Sequence, residues 1–139
     1  KVPHVRMSTD VIVGFPGETE EAFEQTSSLL SDVRYGMVYV AEYSPRPYAA
    51  SSKFNDDVPK KEKARRRRAV EELQASIMEE ENEKLVGEEL EVLIISKRDA
   101  RTKDLRDVRI KGSVQVKRSR LCRVKVVDYS VSGLVCEYI

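Results

Sequence analysis

The run Gly14-Phe15-Pro16-Gly17-Glu18-Thr19 sets two glycines, a proline and a helix-capping threonine directly after the β-branched stretch Val11-Ile12-Val13. Residues of these types stop a buried strand abruptly and re-aim the backbone before a helix begins. In sheets of parallel strands, the loops at the carboxyl ends of the strands carry the ligands. The corner is therefore either one wall of a ligand site or an ordinary strand-to-helix turn. Tyr43-Ser44-Pro45-Arg46-Pro47 is the second such stretch, because two prolines hold Arg46 in an extended loop. A guanidinium presented there suits a carboxylate or phosphate; the alternative is a proline-rich linker with a solvated arginine.

The elements around these residues follow from pattern. Thr19 can cap a helix whose first turn carries Glu20 and Glu21, with Phe23, Thr26, Leu30 and Val33 as its apolar stripe and Gly36 as its stop. Residues 37–43 then read as a second strand, so strand, helix and strand form a parallel crossover unit that brings Arg46 and the glycine turn to one sheet edge. From Pro59 to Glu83 the pattern is helical, with Val70, Leu73, Ile77 and Leu85 marking its apolar side. The four arginines Arg65 to Arg68 point in all directions around such a helix; they are a solvated surface or, for two of them at most, an RNA contact.

After Leu85-Val86-Gly87 the texture changes to short alternating strands, expected over 89–95, 108–112, 121–129 and 133–138. Short strands in this number favour a small closed barrel, which leaves no exposed edge. The fold class is thus α/β plus all-β: a terminal βαβ portion in residues 1–58, a connecting helix in 59–84, and a small antiparallel β-barrel in 85–139.

Charge separates the parts. The 25 basic and 24 acidic residues leave +1 overall, which points to no partner. Residues 96–125, however, hold 12 basic and 3 acidic residues, a net +9. Arg98, Arg101, Lys103, Arg109, Lys111, Lys117, Arg118, Arg120, Arg123 and Lys125 are the candidate RNA-binding residues, with Lys97 and Arg106 beside them; a reader of the phosphate backbone and a soluble barrel with long charged stems are the two accounts. No apolar run approaches the roughly 20 residues of a membrane span, and no signal peptide is visible. A cytoplasmic protein without a membrane partner is expected. Cys122 and Cys136 alternate with apolar residues and form no close-spaced metal motif, so they read as small buried thiols. His4 has no evident partner and anchors no mechanism. The chain opens at Lys1, not methionine, directly ahead of a strand, and is expected to be a fragment.

Three ordered stretches, Ser8 through Thr19, Tyr43-Ser44-Pro45-Arg46-Pro47 and Asp57-Val58-Pro59, resemble the carboxy-terminal portion of a radical-SAM methylthiotransferase. Leu85-Val86-Gly87, Val92-Leu93-Ile94, Arg101-Thr102 and Gly133-Leu134 resemble its TRAM domain. The resemblance implies an incomplete (β/α) radical-SAM barrel ending in residues 1–58. It implies a parent enzyme that uses S-adenosylmethionine and two [4Fe–4S] clusters to transfer a methylthio group. The cluster cysteines, including the CxxxCxxC motif, belong to earlier parts of such proteins and are not in this sequence, so this chain alone is expected to be inactive, with no catalytic or metal-binding residue of its own. Ile12, Gly14, Phe15, Pro16, Gly17, Glu18 and Val40 would line the adenosylmethionine pocket, with Tyr43 and Arg46 at its mouth. Where the family continues Gly-Thr after Arg46-Pro47, this chain has Tyr48-Ala49.

Within the family, substrates are tRNA with isopentenyladenosine beside the anticodon, tRNA with threonylcarbamoyladenosine there, or a small-subunit ribosomal protein. The +9 segment favours RNA over a basic ribosomal protein, and Tyr43-Ser44-Pro45-Arg46-Pro47 with the Glu80 to Gly87 stretch resembles the isopentenyladenosine-directed group. The barrel is then expected to hold the tRNA anticodon stem-loop, with the missing amino-terminal part as its other partner, and a monomer is expected. A non-catalytic RNA-binding module is the alternative from another class.

Overall fold

The computed structural model describes residues 5–112 and 120–139. Two compact units make up the chain, Arg6–Ile77 and one built on Met78–Ile139.

In the first unit, β1 (Ser8–Val13) and β2 (Met37–Glu42) pair in parallel, with Ser8 opposite Met37 and Val13 opposite Glu42. Between them runs α1 (Glu20–Val33), capped by Thr19, whose hydroxyl accepts from the Ala22 amide at 3.2 Å. Glu20 and Glu21 occupy its first turn, where the dipole favours acids. The Thr19 hydroxyl and its own backbone amide hold the Glu21 carboxyl below its ordinary range, the amide more strongly. The stop expected at Gly36 comes two residues earlier. Arg34 takes the left-handed conformation (φ 54°) and its amide bonds Leu30 O at 3.0 Å, a left-handed helix terminus made without glycine.

Alternation along the strands sorts their side chains. Thr9, Val11 and Val13 on β1 are more buried than Ser8, Asp10 and Ile12; Val38 and Val40 on β2 are more buried than Met37 and Tyr39. Val13, Phe23, Leu30 and Val38 form the core with Val70 of α2 (Lys60–Glu83), and Val11, Val40, Ala69 and Leu73 pack against it. Each large apolar side chain buried here contributes about 1.5–3 kcal/mol. The helix is therefore part of this core through Val70.

The second unit is a closed barrel of β3 (Glu89–Ile94), β4 (Asp99–Thr102), β5 (Asp107–Ile110), β6 (Leu121–Ser130) and β7 (Gly133–Tyr138), in the order β3-β4-β5-β7-β6. Its pairings are antiparallel except β5 with β7, which is parallel. Val92, Ile94, Ala100, Val108, Ile110, Val124, Val126, Leu134 and Cys136 fill its interior. Burial pushes the Cys136 thiol up to about 11, so that cysteine is a core residue. Cys122 is partly buried and its thiol points to Val92 O at 3.7 Å. The sequence reading missed β4. Asp99-Ala100-Arg101-Thr102 has four residues and one apolar side chain, too little alternation to register, yet Ala100 and Thr102 face the interior. No helix among the described residues is long and apolar enough to cross a membrane.

Candidate functional site

The glycine corner is built by hydrogen bonds that its sequence makes available. The Glu18 amide donates to Phe15 O at 2.9 Å, closing a four-residue turn with Pro16 second and Gly17 third at φ 80°, the pattern of a type II turn. Gly14 precedes it at φ 70° and is buried. Its amide donates to Glu18 Oε2 at 2.6 Å, and the Gly17 amide donates to Asp57 Oδ1 at 2.9 Å. These three amides are thus already bonded within the unit. The corner offers a ligand shape and apolar surface, with no free row of N–H donors.

That surface is formed by Phe15, 40% exposed, whose ring meets Tyr43 edge-on at 5.1 Å and Phe54 at 6.2 Å. Ile12 is 58% exposed on the open face of the two-stranded sheet, across from Ala41. Val40 lies on the other face, against the core. Side chains of Ile12 and Val40 therefore address opposite sides of the sheet. Tyr43 is buried; its amide extends the parallel ladder to Val13 O at 2.8 Å and its hydroxyl donates to Ser51 O at 3.1 Å. Pro16 is half-buried and Gly17 exposed. Arg46 is exposed, its carbonyl accepting from the Ala49 amide at 3.2 Å, and no contact of its side chain with the turn is among those described. Tyr48 adopts φ 72° and is fully exposed, a conformation that glycine adopts freely and a tyrosine does not.

Four residues that sequence reasoning did not assign to the site hold it in place. Arg66, only 5% exposed, donates from Nη1 to Glu18 Oε2 at 2.6 Å and to Glu18 O at 3.0 Å, and from Nε to Glu62 Oε1 at 2.9 Å. Burial alone would lower its pKa, but these carboxylates raise it above the ordinary arginine value. Lys63 donates from Nζ to Asp56 at 2.6 and 2.8 Å and to Tyr43 O at 3.2 Å. Arg65 joins Glu20 and Glu62, both at 2.6 Å, and Arg67 joins Glu42 at 3.0 Å and Glu71 at 2.6 Å. The arginine run expected to be a solvated surface is thus mostly consumed by ion pairs within its own unit. The signal that could have found this is the acid set Glu18, Glu20, Glu42 and Glu62, which offers carboxylate partners to the run.

The cations of the barrel behave differently. Arg98, Arg101, Lys103, Arg109, Lys111, Arg120, Arg123 and Lys125 are all exposed; Lys117 and Arg118 lie outside the described residues. Four are paired across strands: Arg101 with Asp107 at 2.9 Å, Arg109 with Asp99 at 3.2 Å, Lys111 with Glu137 at 3.7 Å and Arg123 with Glu89 at 3.0 Å. Arg106, beside them, is mostly buried and bonds Asp104 and Asn82. Arg98, Lys103, Arg120 and Lys125 have no acidic partner among the described residues. Topology gathers two of these at one end of the barrel. The end of β3 and the start of β6 meet there, with the Ile94 amide on Arg120 O at 3.0 Å, and the end of β5 meets the β3–β4 turn, with the Ile110 amide on Arg98 O at 2.8 Å. Lys111 follows Ile110 at the same end.

Among the described residues no group of three or more His, Cys, Asp or Glu could hold a metal ion. The residues present therefore do not fit an iron–sulfur cluster. Ile12 and Phe15 leave apolar surface exposed beside the corner, and the bonded amides fix the outline of the turn.

No protein-family model matches the chain. Curated proteins do. The chain is 43% identical over 94 residues to the tRNA-2-methylthio-N(6)-dimethylallyladenosine synthase of Corynebacterium efficiens, covering 68% of this chain and 18% of that protein. The proteins of the same name from Dehalococcoides mccartyi (45% identity, 67% and 22% covered) and Tropheryma whipplei (40%, 68% and 20%) match similarly. The chain spans no more than about a fifth of the length of these relatives. At this identity the matched stretch of the chain is homologous to part of the tRNA-2-methylthio-N(6)-dimethylallyladenosine synthases.

Proposed function

We propose that this chain is the carboxy-terminal part of a radical-SAM methylthiotransferase that modifies isopentenyladenosine beside the tRNA anticodon. In this reading residues 1–58 are the end of the radical-SAM barrel, 59–84 a connecting helix and 85–139 a TRAM domain that grips the anticodon stem-loop. The observation that carries it is identity of 40–45% over 94 residues with tRNA-2-methylthio-N(6)-dimethylallyladenosine synthases; a braced strand-end corner, and Arg98 and Arg120 without acidic partners among the described residues at one barrel end, support it.

The division of labour follows from the site. Bound S-adenosylmethionine would supply the radical chemistry together with clusters held elsewhere in the protein. Phe15 and Ile12 would cover its adenosyl group, Gly14 and Gly17 would let the backbone pass close to it, and Arg46 and Tyr43 would lie at the mouth. Val40 supports this wall from the core. At the barrel end, Arg98, Arg120 and Lys111 would neutralise phosphates of the stem.

Fluorescence anisotropy of a labelled tRNA anticodon stem-loop titrated with the full chain tests the RNA half of this reading. Binding that weakens steeply as salt rises from 50 to 200 mM is expected. Absence of binding at low salt would remove tRNA from the barrel's partners.

A further inference from the structure

We propose that Arg66 and Lys63 of α2 are positioning residues that set the backbone at the carboxyl ends of β1 and β2, and so fix the outline of the cofactor wall. The proposal rests on reading the glycine turn as that wall, and it goes beyond that reading by assigning the turn's geometry to residues about fifty positions away in sequence.

The contacts fall on backbone atoms and on a carboxylate that itself holds a backbone atom. Val13 O accepts from the Tyr43 amide, so the Gly14 N–H of the same trans peptide points away from β2 and needs its own acceptor. Glu18 Oε2 supplies it at 2.6 Å, and the same oxygen receives Arg66 Nη1 at 2.6 Å. A neutral or unpinned Glu18 would be free to rotate away; the guanidinium holds the carboxylate from one side while also bonding Glu18 O. Both bonds come from Nη1 while Nε donates to Glu62 Oε1 at 2.9 Å, so the planar guanidinium is oriented between the two carboxylates.

Lys63 does two things with two parts of its side chain. Its stem lies against Gly14, where a Cβ would fall 2.3 Å from Lys63 Cγ, so that close approach requires glycine at this position. Its ammonium bonds Tyr43 O at 3.2 Å and Asp56 at 2.6 Å, tying the first residue beyond β2 to the loop that carries Asp57, the acceptor of the Gly17 amide. Lys63 and Arg66 are three residues apart and so neighbours on one helix face. One turn of α2 thereby locks both strand ends.

A purely stabilising ion pair predicts a different response from a positioning one. Amide hydrogen exchange by NMR on the full 15N-labelled chain separates them, comparing the Gly14 amide with Val11 and Val40 in the sheet. Arg66→Gln is expected to accelerate exchange at Gly14 at least tenfold while changing Val11 and Val40 by less than threefold. Glu18→Gln, a second variant in case the first fails to fold, is expected to show the same local pattern. Arg66→Lys keeps the charge without the fork and is expected to fall between wild type and Arg66→Gln. Lys63→Met keeps a stem against Gly14 and removes the ammonium; its changes are expected within residues 43–57 only. Uniform acceleration at Gly14, Val11 and Val40, or no change at Gly14, would overturn the proposal. No cofactor is present in the measurement, so its outcome is independent of whether the turn contacts adenosylmethionine.

Discussion

Two basic regions of this chain use the same residue types in opposite ways. In α2, Lys63 and Arg65 to Arg67 are turned inward or sideways onto Glu18, Glu20, Glu42, Asp56, Glu62 and Glu71. In the barrel, every candidate cation that is described is exposed, and Arg98, Lys103, Arg120 and Lys125 lack an acidic partner among the described residues. A dense cluster of arginines in sequence is therefore no sign of free cations here. What decides is the number of acids the fold delivers to each region, which is large around α2 and small between residues 96 and 125.

The largest expected effect tests the inward half of that contrast. Arg66→Met leaves Glu18 mostly buried without its guanidinium partner and should accelerate exchange of the Gly14 amide at least tenfold, the loss falling on the turn rather than on the global unfolding of the first unit. Arg68→Ala, exposed two residues on, should leave that exchange unchanged and change stability by less than about 0.5 kcal/mol. Equal effects would erase the distinction within the run. Glycine substitutions give the next step. Gly14→Ala meets both a left-handed backbone and the Lys63 stem, whereas Gly17→Ala at φ 80° meets open space, so Gly17→Ala should cost about 1–2 kcal/mol and Gly14→Ala distinctly more. On the barrel, Arg98→Glu with Arg120→Glu should weaken stem-loop binding at least tenfold with an unchanged melting midpoint.

Two smaller effects sharpen the same picture. Hydrogen bonds from Arg65 first, and from Arg66, pull the Glu62 carboxyl from an ordinary 4.5 down to about 2. A carboxylate held down in the folded state stabilises that state fully above pH 4.5, and the contribution disappears as the pH falls from about 4.5 to about 2. Glu62→Gln should flatten the acid limb of the first unit's stability in that window; because Glu62 is only partly buried, solvent screening keeps the change modest. Tyr48→Gly, which places glycine at a left-handed position of the second loop, should raise stability by about 0.5–1 kcal/mol.

Local chemistry made much of the fold legible. The βαβ order, the Thr19 cap and the reach of α2 follow from turn residues and period, and the interior of the barrel from alternation at Val124 and Val126. Other features depend on groups distant in the chain. Arg66 is polar and flanked by arginines, so its own neighbourhood does not mark it as buried; Glu18 and Glu20 before and in α1, with Glu62 one turn back, make its burial affordable. Residues 99–102 pair on both sides but carry too little apolar alternation to be seen. The family resemblance sets Ile12 and Val40 at one pocket, while the register opposes Ile12 to Ala41 and Val11 to Val40, which separates their side chains onto two faces.

The most direct test of the central contrast is the salt dependence of stem-loop affinity. Replacing Arg98 and Arg120 by glutamine should make the slope of log K against log salt shallower by between about 1 and 2, as two lost phosphate contacts require, while Arg65→Gln, which removes a cation already paired with Glu20 and Glu62, should leave it unchanged. An unchanged slope for the barrel variant, or a shallower one for Arg65→Gln, would contradict the assignment of the RNA surface to the barrel end.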